Sequence, residues 1–288
     1  MPPPRKPLLQ RVASVLDLQR RNPHLLWMAL ALRTRRRLHC TGLGRMRIGG
    51  IRFRFDQAPS HYMQSMRLGE YEIETVAAMR HFLRQGSTFI DVGANLGYFS
   101  AWALHLTGAR GRVIAFEPVP ELADRLEVLC ADNPGCGLAI HRVALGEAPG
   151  TAEMTLAGDA MLGGNTMVAG LVPPGEARGH VNVTIARLDA HVDAQRVGRA
   201  ALMKIDVEGF EDHVLRGMRQ SFQNGFGAPI ICEVTPSALR LQGRDLNDLL
   251  DYMRQWGYLA CSLRDFRPLN PERIRKLGKM FNVIFIRS

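Results

Sequence analysis

The chain has 288 residues, 46% of them hydrophobic and 22% charged, with a mean hydropathy of −0.08. Such a composition excludes intrinsic disorder, a collagen-like chain and a disulfide-stapled miniprotein, and a domain of this size buries roughly 75% of its unfolded surface without help from metal or disulfide. The net charge of +10 is concentrated at one end: residues 1–54 carry 13 Lys or Arg against Asp17 alone, leaving 24 bases and 26 acids for the rest.

After Pro2-Pro3-Pro4, residues 8–20 and 24–37 are predicted as short helices divided by Asn22-Pro23. The longest clean apolar run, residues 25–32, falls far short of the roughly 20 residues a bilayer demands, so no transmembrane segment is expected. Arg20 and Arg21 before that run, and Ala29-Leu30-Ala31 within it, imitate an export signal. Arg33, Arg35, Arg36 and Arg37 follow at once and oppose translocation, so a cytoplasmic location is expected. The basic segment suits contact with an anionic surface of lipid or glycan. Nucleic acid is not the expected partner, because no aromatics interleave the arginines as a base-stacking surface requires. The five cysteines (Cys40, Cys130, Cys136, Cys232, Cys261) form no C-x-x-C pair and are expected to be buried thiols in a reducing compartment.

Residues 45–55 alternate Met46, Ile48, Ile51, Phe53 and Phe55 with arginines, and Gly49-Gly50 interrupts them, which predicts a hairpin with a two-residue turn. Helical spacing returns over 69–85 through Tyr71, Ile73, Val76, Met79, Phe82 and Leu83. From residue 86 onward, strand patterns at 88–92, 112–117, 138–143, 200–206, 228–234, 257–262 and 281–286 alternate with helical patterns at 97–107, 121–132, 209–220 and 245–256. This is the signature of an α/β fold, a doubly wound and mainly parallel sheet covered on both faces. Two strand-like pieces, 151–156 and 181–186, flank a glycine-rich stretch, 157–180, expected to act as a substrate lid, with Asn165-Thr166 touching a hydroxylated acceptor. The expected organisation is a basic N-terminal extension of helices and hairpin, 1–60, and a cofactor-binding domain, 61–288.

The first strand of the alternating region ends in Asp91-Val92-Gly93-Ala94-Asn95-Leu96-Gly97-Tyr98. A carboxylate, a glycine turn and a helix start are how an open α/β sheet builds a ligand crevice, with free N–H groups facing an anionic ligand group. Glu117 closes the second strand 24 residues beyond Gly93, the spacing that places an acid against two ribose hydroxyls. Both a dinucleotide and S-adenosylmethionine meet these demands. The dinucleotide fingerprint needs a middle glycine to make room for pyrophosphate, and Asn95 stands there; S-adenosylmethionine has no pyrophosphate, and offers an ammonium for Asp91 and a carboxylate for the helix start.

A later strand reads Leu202-Met203-Lys204-Ile205-Asp206-Val207-Glu208-Gly209-Phe210-Glu211 and continues to Val214-Leu215-Arg216-Gly217. Three charged groups in five residues at a strand tip point to ligand rather than core. Glu208 and Glu211 can also serve the dipole of the next helix, and Lys204 can form an ion pair with one of these acids. Together with residues 91–97 and Phe116-Glu117-Pro118, this run resembles the FkbM family of S-adenosylmethionine-dependent methyltransferases, over about residues 86–234. The resemblance implies a class I methyltransferase, Rossmann-like fold of seven strands, the last antiparallel. It also implies O-methylation of a saccharide, glycan or secondary-metabolite hydroxyl. On that reading Asp91, Gly93, Asn95, Gly97 and Tyr98 hold the methionine end of the cofactor, Glu117 the ribose, and Ala144 lies near the adenine. Asp206 is the first choice for orienting or deprotonating the acceptor, Glu208 the second, with Lys204 beside them. Asp206 and Glu233 at neighbouring strand tips invite a magnesium ion, but two carboxylates are too few ligands and no metal is expected. His213 is expected to be a surface residue. The rival readings are a nucleic-acid methyltransferase gripping phosphate with the basic segment, and a non-catalytic docking module that binds the cofactor.

Overall fold

Seven of the predicted strands pair into a single sheet. The computed structural model describes residues 44–54, 61–158, 164–173, 175–192 and 197–288; the helices expected over 8–20 and 24–37 lie outside them, as does Cys40. In chain order the elements begin with a hairpin, β1 (Arg45–Ile48) and β2 (Ile51–Arg54), then α1 (His61–Leu68) and α2 (Ile73–Phe82). Strand–helix units follow: β3 (Thr88–Val92), α3 (Tyr98–Thr107), β4 (Arg112–Phe116), α4 (Pro120–Asp132) and β5 (Leu138–His141). Three strands form a separate small sheet, β6 (Ala144–Leu145), β7 (Gly150–Ala157) and β8 (Ala177–Ala186), trailed by α5 (Leu188–His191). The chain then returns to the large sheet through β9 (Ala200–Ile205), α6 (Glu211–Arg216), α7 (Arg219–Gln223), β10 (Ile230–Val234), α8 (Pro236–Leu241), α9 (Leu246–Gln255), β11 (Tyr258–Cys261), α10 (Pro271–Arg275) and β12 (Phe281–Arg287).

The large sheet has the order β11-β12-β10-β9-β3-β4-β5. Its pairs from β10 through β5 are parallel, and β12 runs antiparallel to both of its neighbours, β10 and β11. The winding goes outward from β3 through β4 to β5, then crosses back to β9 on the other side of β3. The reversal between β3 and β9 opens a crevice at the carboxyl ends of these two strands, which is where ligands sit in open α/β sheets.

Side chains alternate between the two faces of the sheet. Phe89, Leu202, Ile231 and Ile284 pack on one face against α2 and α3, whereas Ile90, Met203, Cys232 and Phe285 pack on the other with Leu215, Phe222 and Leu250 from the later helices. Toward the carboxyl ends, the first of these faces turns polar. Asp91, Lys204 and Glu233 occupy its next positions on β3, β9 and β10, and Asn282 stands opposite Glu233 on β12.

The hairpin belongs to the same core. Ile48 and Phe53 are buried in the cluster formed by α2 and α3, the Phe53 ring lying 6.2 Å from that of Tyr98. Arg54 pairs with Asp132 at the end of α4, and the Asn133 side chain both accepts from Arg52 N–H and donates to its carbonyl at 2.8 Å.

Several elements differ from the expectation. The helix predicted over 69–85 begins only at Ile73, because Glu72 takes a left-handed conformation (φ 40°) that cannot continue a helix backwards. The stretch 209–220 is two short helices parted at Gly217, whose bare Cα lies against the carbonyl of Gly146. Residues 177–180 extend β8 rather than the glycine-rich loop, and Thr166 bridges back to Thr155 on β7. Cys130 and Cys136 are only half-buried, at the C-terminus of α4 and in the turn after it, their sulfurs 3.7 Å apart; Cys232 and Cys261 are buried. Among the described residues no helix is long and apolar enough to cross a membrane.

Candidate active site

The turn after β3 and the tip of β9 meet at the reversal of winding. Gly93 has φ 81° and abuts the Asp206 backbone so closely that a Cβ would run into the Asp206 carbonyl oxygen. Asp206 in turn donates its N–H to the Val92 carbonyl at 3.0 Å, tying the two strand ends together. Beside this junction lies a cleft of about 470 Å³, counted to the open solvent, whose wall includes Gly93, Asn95, Glu117, Ala144, Asp206 and Glu208. Phe116, Met154 and Met167 supply apolar surface, and Asn165 reaches the cleft from the glycine-rich loop.

Glu117 is held in place by backbone amides: one carboxylate oxygen accepts from Asn95 N–H at 2.8 Å and the other from Val119 N–H at 3.0 Å. Burial pushes its pKa up to about 7 against the pull of those two amides. Each oxygen keeps a lone pair for a further donor, as a ribose diol would supply. Asn95 takes φ 52°, and its side-chain oxygen accepts from the Leu96 N–H, which closes the turn.

Three residues expected at the methionine end do not line this cleft. Asp91 is fully buried and accepts from Ser100 Oγ at 2.6 Å, so it secures the start of α3, although its Oδ1 has no partner. Gly97 is needed where α4 crosses, since a Cβ would press on the Leu126 side chain. Tyr98 turns away into the core, edge-on to Tyr71 at 5.4 Å, and burial pushes its hydroxyl up to about 12.

The polar row on the α2–α3 face centres on Lys204, which is 1% exposed. Its Nζ lies 2.5 Å from Asp206 Oδ2 and 4.4 Å above the Phe99 ring. Burial works to lower the lysine pKa, but the carboxylates of Asp206, Glu72 and Asp91 outweigh it and hold the ammonium above its ordinary value. Asp206 itself remains partly open, on the cleft wall.

Glu208 follows in the left-handed region at φ 53°, an uncommon conformation for a non-glycine residue. The strained turn is clamped from below: Glu211, buried, accepts from both Val207 N–H and Gly209 N–H at 3.0 Å, and Thr166 Oγ1 donates to the Glu208 carbonyl at 2.6 Å. Glu211 therefore serves the turn, and the Thr166 hydroxyl is spent on it rather than free for an acceptor. Burial, reinforced by Asp206, pushes Glu208 up to about 9 and Glu233 up to about 11. Oxygens of Asp206, Glu208 and Glu233 lie within 4.8 Å of one another, so the structure adds a third carboxylate to the pair read from the sequence.

Sequence reasoning missed Glu72 and Asn282. Glu72 Oε2 accepts from Thr75 Oγ1 at 2.7 Å and from Asn282 Nδ2 at 3.2 Å, and its charge acts on both Lys204 and Asp206. Glu72, half-buried, stands among alternating acids (Glu70, Glu72, Glu74) in a stretch predicted as helix, and Asn282 lies in the strand predicted over 281–286, so neither carries a local signal of a site. Only the strand order brings either of them to the site. His213 stacks on Phe210 at 4.1 Å, outside the cleft wall.

Compared with known proteins, residues 91–260 match the family model described as the methyltransferase FkbM domain. The 31-O-demethyl-FK506 methyltransferase FkbM of Streptomyces tacrolimicus is 29% identical over 210 residues, 64% of this chain and 76% of that protein. Among solved structures, a putative rRNA-methylase from Clostridium thermocellum has a TM-score of 0.46 at 10% identity, over 75% of this chain and 94% of that one. An S-adenosylmethionine-dependent O-methyltransferase from Thermotoga maritima has a TM-score of 0.40 at 12% identity, over 83% and 78%.

Proposed function

From a chain that belongs to the FkbM methyltransferase family, and so is an S-adenosylmethionine-dependent methyltransferase, we infer that the methylated group is a hydroxyl of a saccharide, glycan or secondary metabolite. The observation that carries this reading is Asp206. Its carboxylate lies on the wall of the cleft, beside a buried ammonium that orients it. The relative from Streptomyces tacrolimicus is named for an oxygen acceptor, which supports the same chemistry.

The residues on the cleft fit the cofactor. Glu117 has free lone pairs toward a ribose diol, Gly93 leaves the backbone bare, and Ala144 with Met154 offers apolar surface to the adenine. The cofactor supplies an electrophilic methyl group on a sulfonium. Asp206 orients the acceptor hydroxyl and takes its proton as the oxygen is methylated, and Lys204 keeps the carboxylate aimed. Glu208, pushed up to about 9, enters neutral and can donate a hydrogen bond to the acceptor.

Calorimetric titration with S-adenosylmethionine, S-adenosylhomocysteine and NAD tests the assignment. The first two should bind and NAD should not, and Glu117→Ala should weaken both by about tenfold or more, the worth of a charged hydrogen bond. Asp206→Asn should retain cofactor affinity within a few-fold and lower methyl transfer by about 100-fold or more. Binding of NAD alone, or undiminished transfer by Asp206→Asn, overturns the reading. A second reading, magnesium-assisted transfer, is favoured by the three converging carboxylates. Burial keeps Glu208 and Glu233 protonated at neutral pH, so a cation would have to displace their protons. On the metal-free reading, transfer survives EDTA, and added MgCl2 releases no heat.

A further inference from the structure

A second, larger cavity opens at the β12 end of the polar row. It is open to solvent and lies between the N-terminus of α2 and the segment that joins β11 to β12. Glu72 and Asn282 are shared between this cavity and the polar row. Both line it, and their charge and hydrogen bonds lead to Lys204, Asp206 and, across the β10–β12 ladder, Glu233. The polar row therefore runs from Asp206, on the wall of the cofactor cleft, to Glu72 and Asn282, on the wall of the second cavity.

The lining indicates what the second cavity takes. Its charged residues are four acids and three arginines, with Arg264 paired to Glu74 at 2.7 Å, so the set is nearly balanced and favours neither a polyanion nor a cation. Its floor is rich in acceptors. Glu72 is one, and Asn282 Oδ1, buried and without a partner, is another. A buried acceptor without a donor costs about 1–3 kcal/mol, which a ligand hydroxyl would relieve. Leu263, Leu269 and Phe281 form an apolar wall beside it.

We propose that this cavity is the acceptor site, and that it binds a neutral, hydroxyl-rich ligand with an apolar portion, such as a glycoside, placing its hydroxyls on Glu72 and Asn282 and its apolar part against Leu269 and Phe281. The proposal rests on the methyltransferase reading and locates the acceptor on the β10–β12 side. The glycine-rich loop, by contrast, borders the cofactor cleft through Asn165 and Met167.

Saturation-transfer NMR on the full chain with S-adenosylhomocysteine bound tests it. The probes are an equimolar mixture of p-nitrophenyl β-glucoside, α-rhamnoside and β-xyloside, with p-nitrophenyl phosphate as the anionic comparator. At least one glycoside should receive saturation at its ring protons, and the phosphate should not. Asn282→Leu and, separately, Leu269→Ala on the apolar wall should reduce that transfer at least threefold, with S-adenosylhomocysteine affinity, measured by calorimetry, unchanged within twofold. Loss of S-adenosylhomocysteine binding by the wild type would sink the methyltransferase reading itself. Intact S-adenosylhomocysteine binding with no glycoside contact, with preference for the phosphate, or with undiminished transfer in both variants, would sink the acceptor site alone.

Discussion

Among the described residues burial works against charge at five glutamates, Glu72 among them. Glu117 and Glu211 are pushed up to about 7, Glu208 to about 9 and Glu233 to about 11, all from 4.5. Each therefore holds its proton more tightly in the folded chain than in the unfolded one. Between pH 5 and 9 the native state binds the extra protons, so stability is greatest at the acid end and is lost as pH rises through the folded pKa values. Scanning calorimetry of the cofactor-free protein should show a melting temperature that falls across this window. Glu208→Gln removes one of these ionisations, and its melting temperature should exceed that of wild type by more at pH 9 than at pH 5. A melting temperature that rises with pH over the same range would contradict the burial of these carboxylates. The motif from Lys204 to Glu211 was legible as a site from its density of charge, but the division of labour within it was not. Glu208 and Glu211 differ by three positions and have the same side chain. Only the backbone shows that one faces the cleft while the other clamps the turn.

Elements were legible where their pattern was set locally. The parallel strands announced themselves by short apolar runs and α9 by its helical pattern; the structure adds that Asp245 and Asp248 form a reciprocal cap at its start. What escaped was set by partners distant in sequence. The left-handed Glu72 that delays α2 sits within hydrogen-bonding reach of Asn282, 210 positions away, and Gly217 parts two helices where Gly146 comes close. Gly93 was read as part of the tight turn that approaches the cofactor; the structure adds that its nearest neighbour is the Asp206 backbone, so it also holds two strand tips together. Gly93→Ala should therefore cost about 3 kcal/mol or more in urea unfolding, strain and collision combined. Gly86→Ala, at φ 84° with open space around it, meets only the strain and should cost about 1 kcal/mol. Equal costs would mean that the turn adjusts and the junction is slack.

At the scale of the whole molecule, charge composition divides the chain differently from packing. The basic character stops near residue 54 and the expected extension runs to residue 60, but the hairpin at 45–54 shares a buried cluster with α2 and α3. Phe53 is 2% exposed, and removing a buried phenylalanine costs about 3–5 kcal/mol. Of two truncated chains, one starting at Gly44 and the other at Phe55, the second should be less stable by at least that much in urea. Equal stability would show that the hairpin is an appendage. The arginines of this hairpin thus lie on the outer side of a structural element whose inner side is core.

The position of β12 has a consequence for biosynthesis. It follows the other six strands of its sheet in the chain, yet it takes an interior place between β10 and β11, and among the described residues β11 pairs with no other strand. Until residues 281–287 emerge, β10 presents an unsatisfied edge and β11 has no partner, a state open to pairing with other chains. Asn282 arrives on that same strand. A nascent chain can thus assemble the cofactor side of its crevice early, while the opposite side waits for the closing strand, so that translation itself orders the completion of the two cavities.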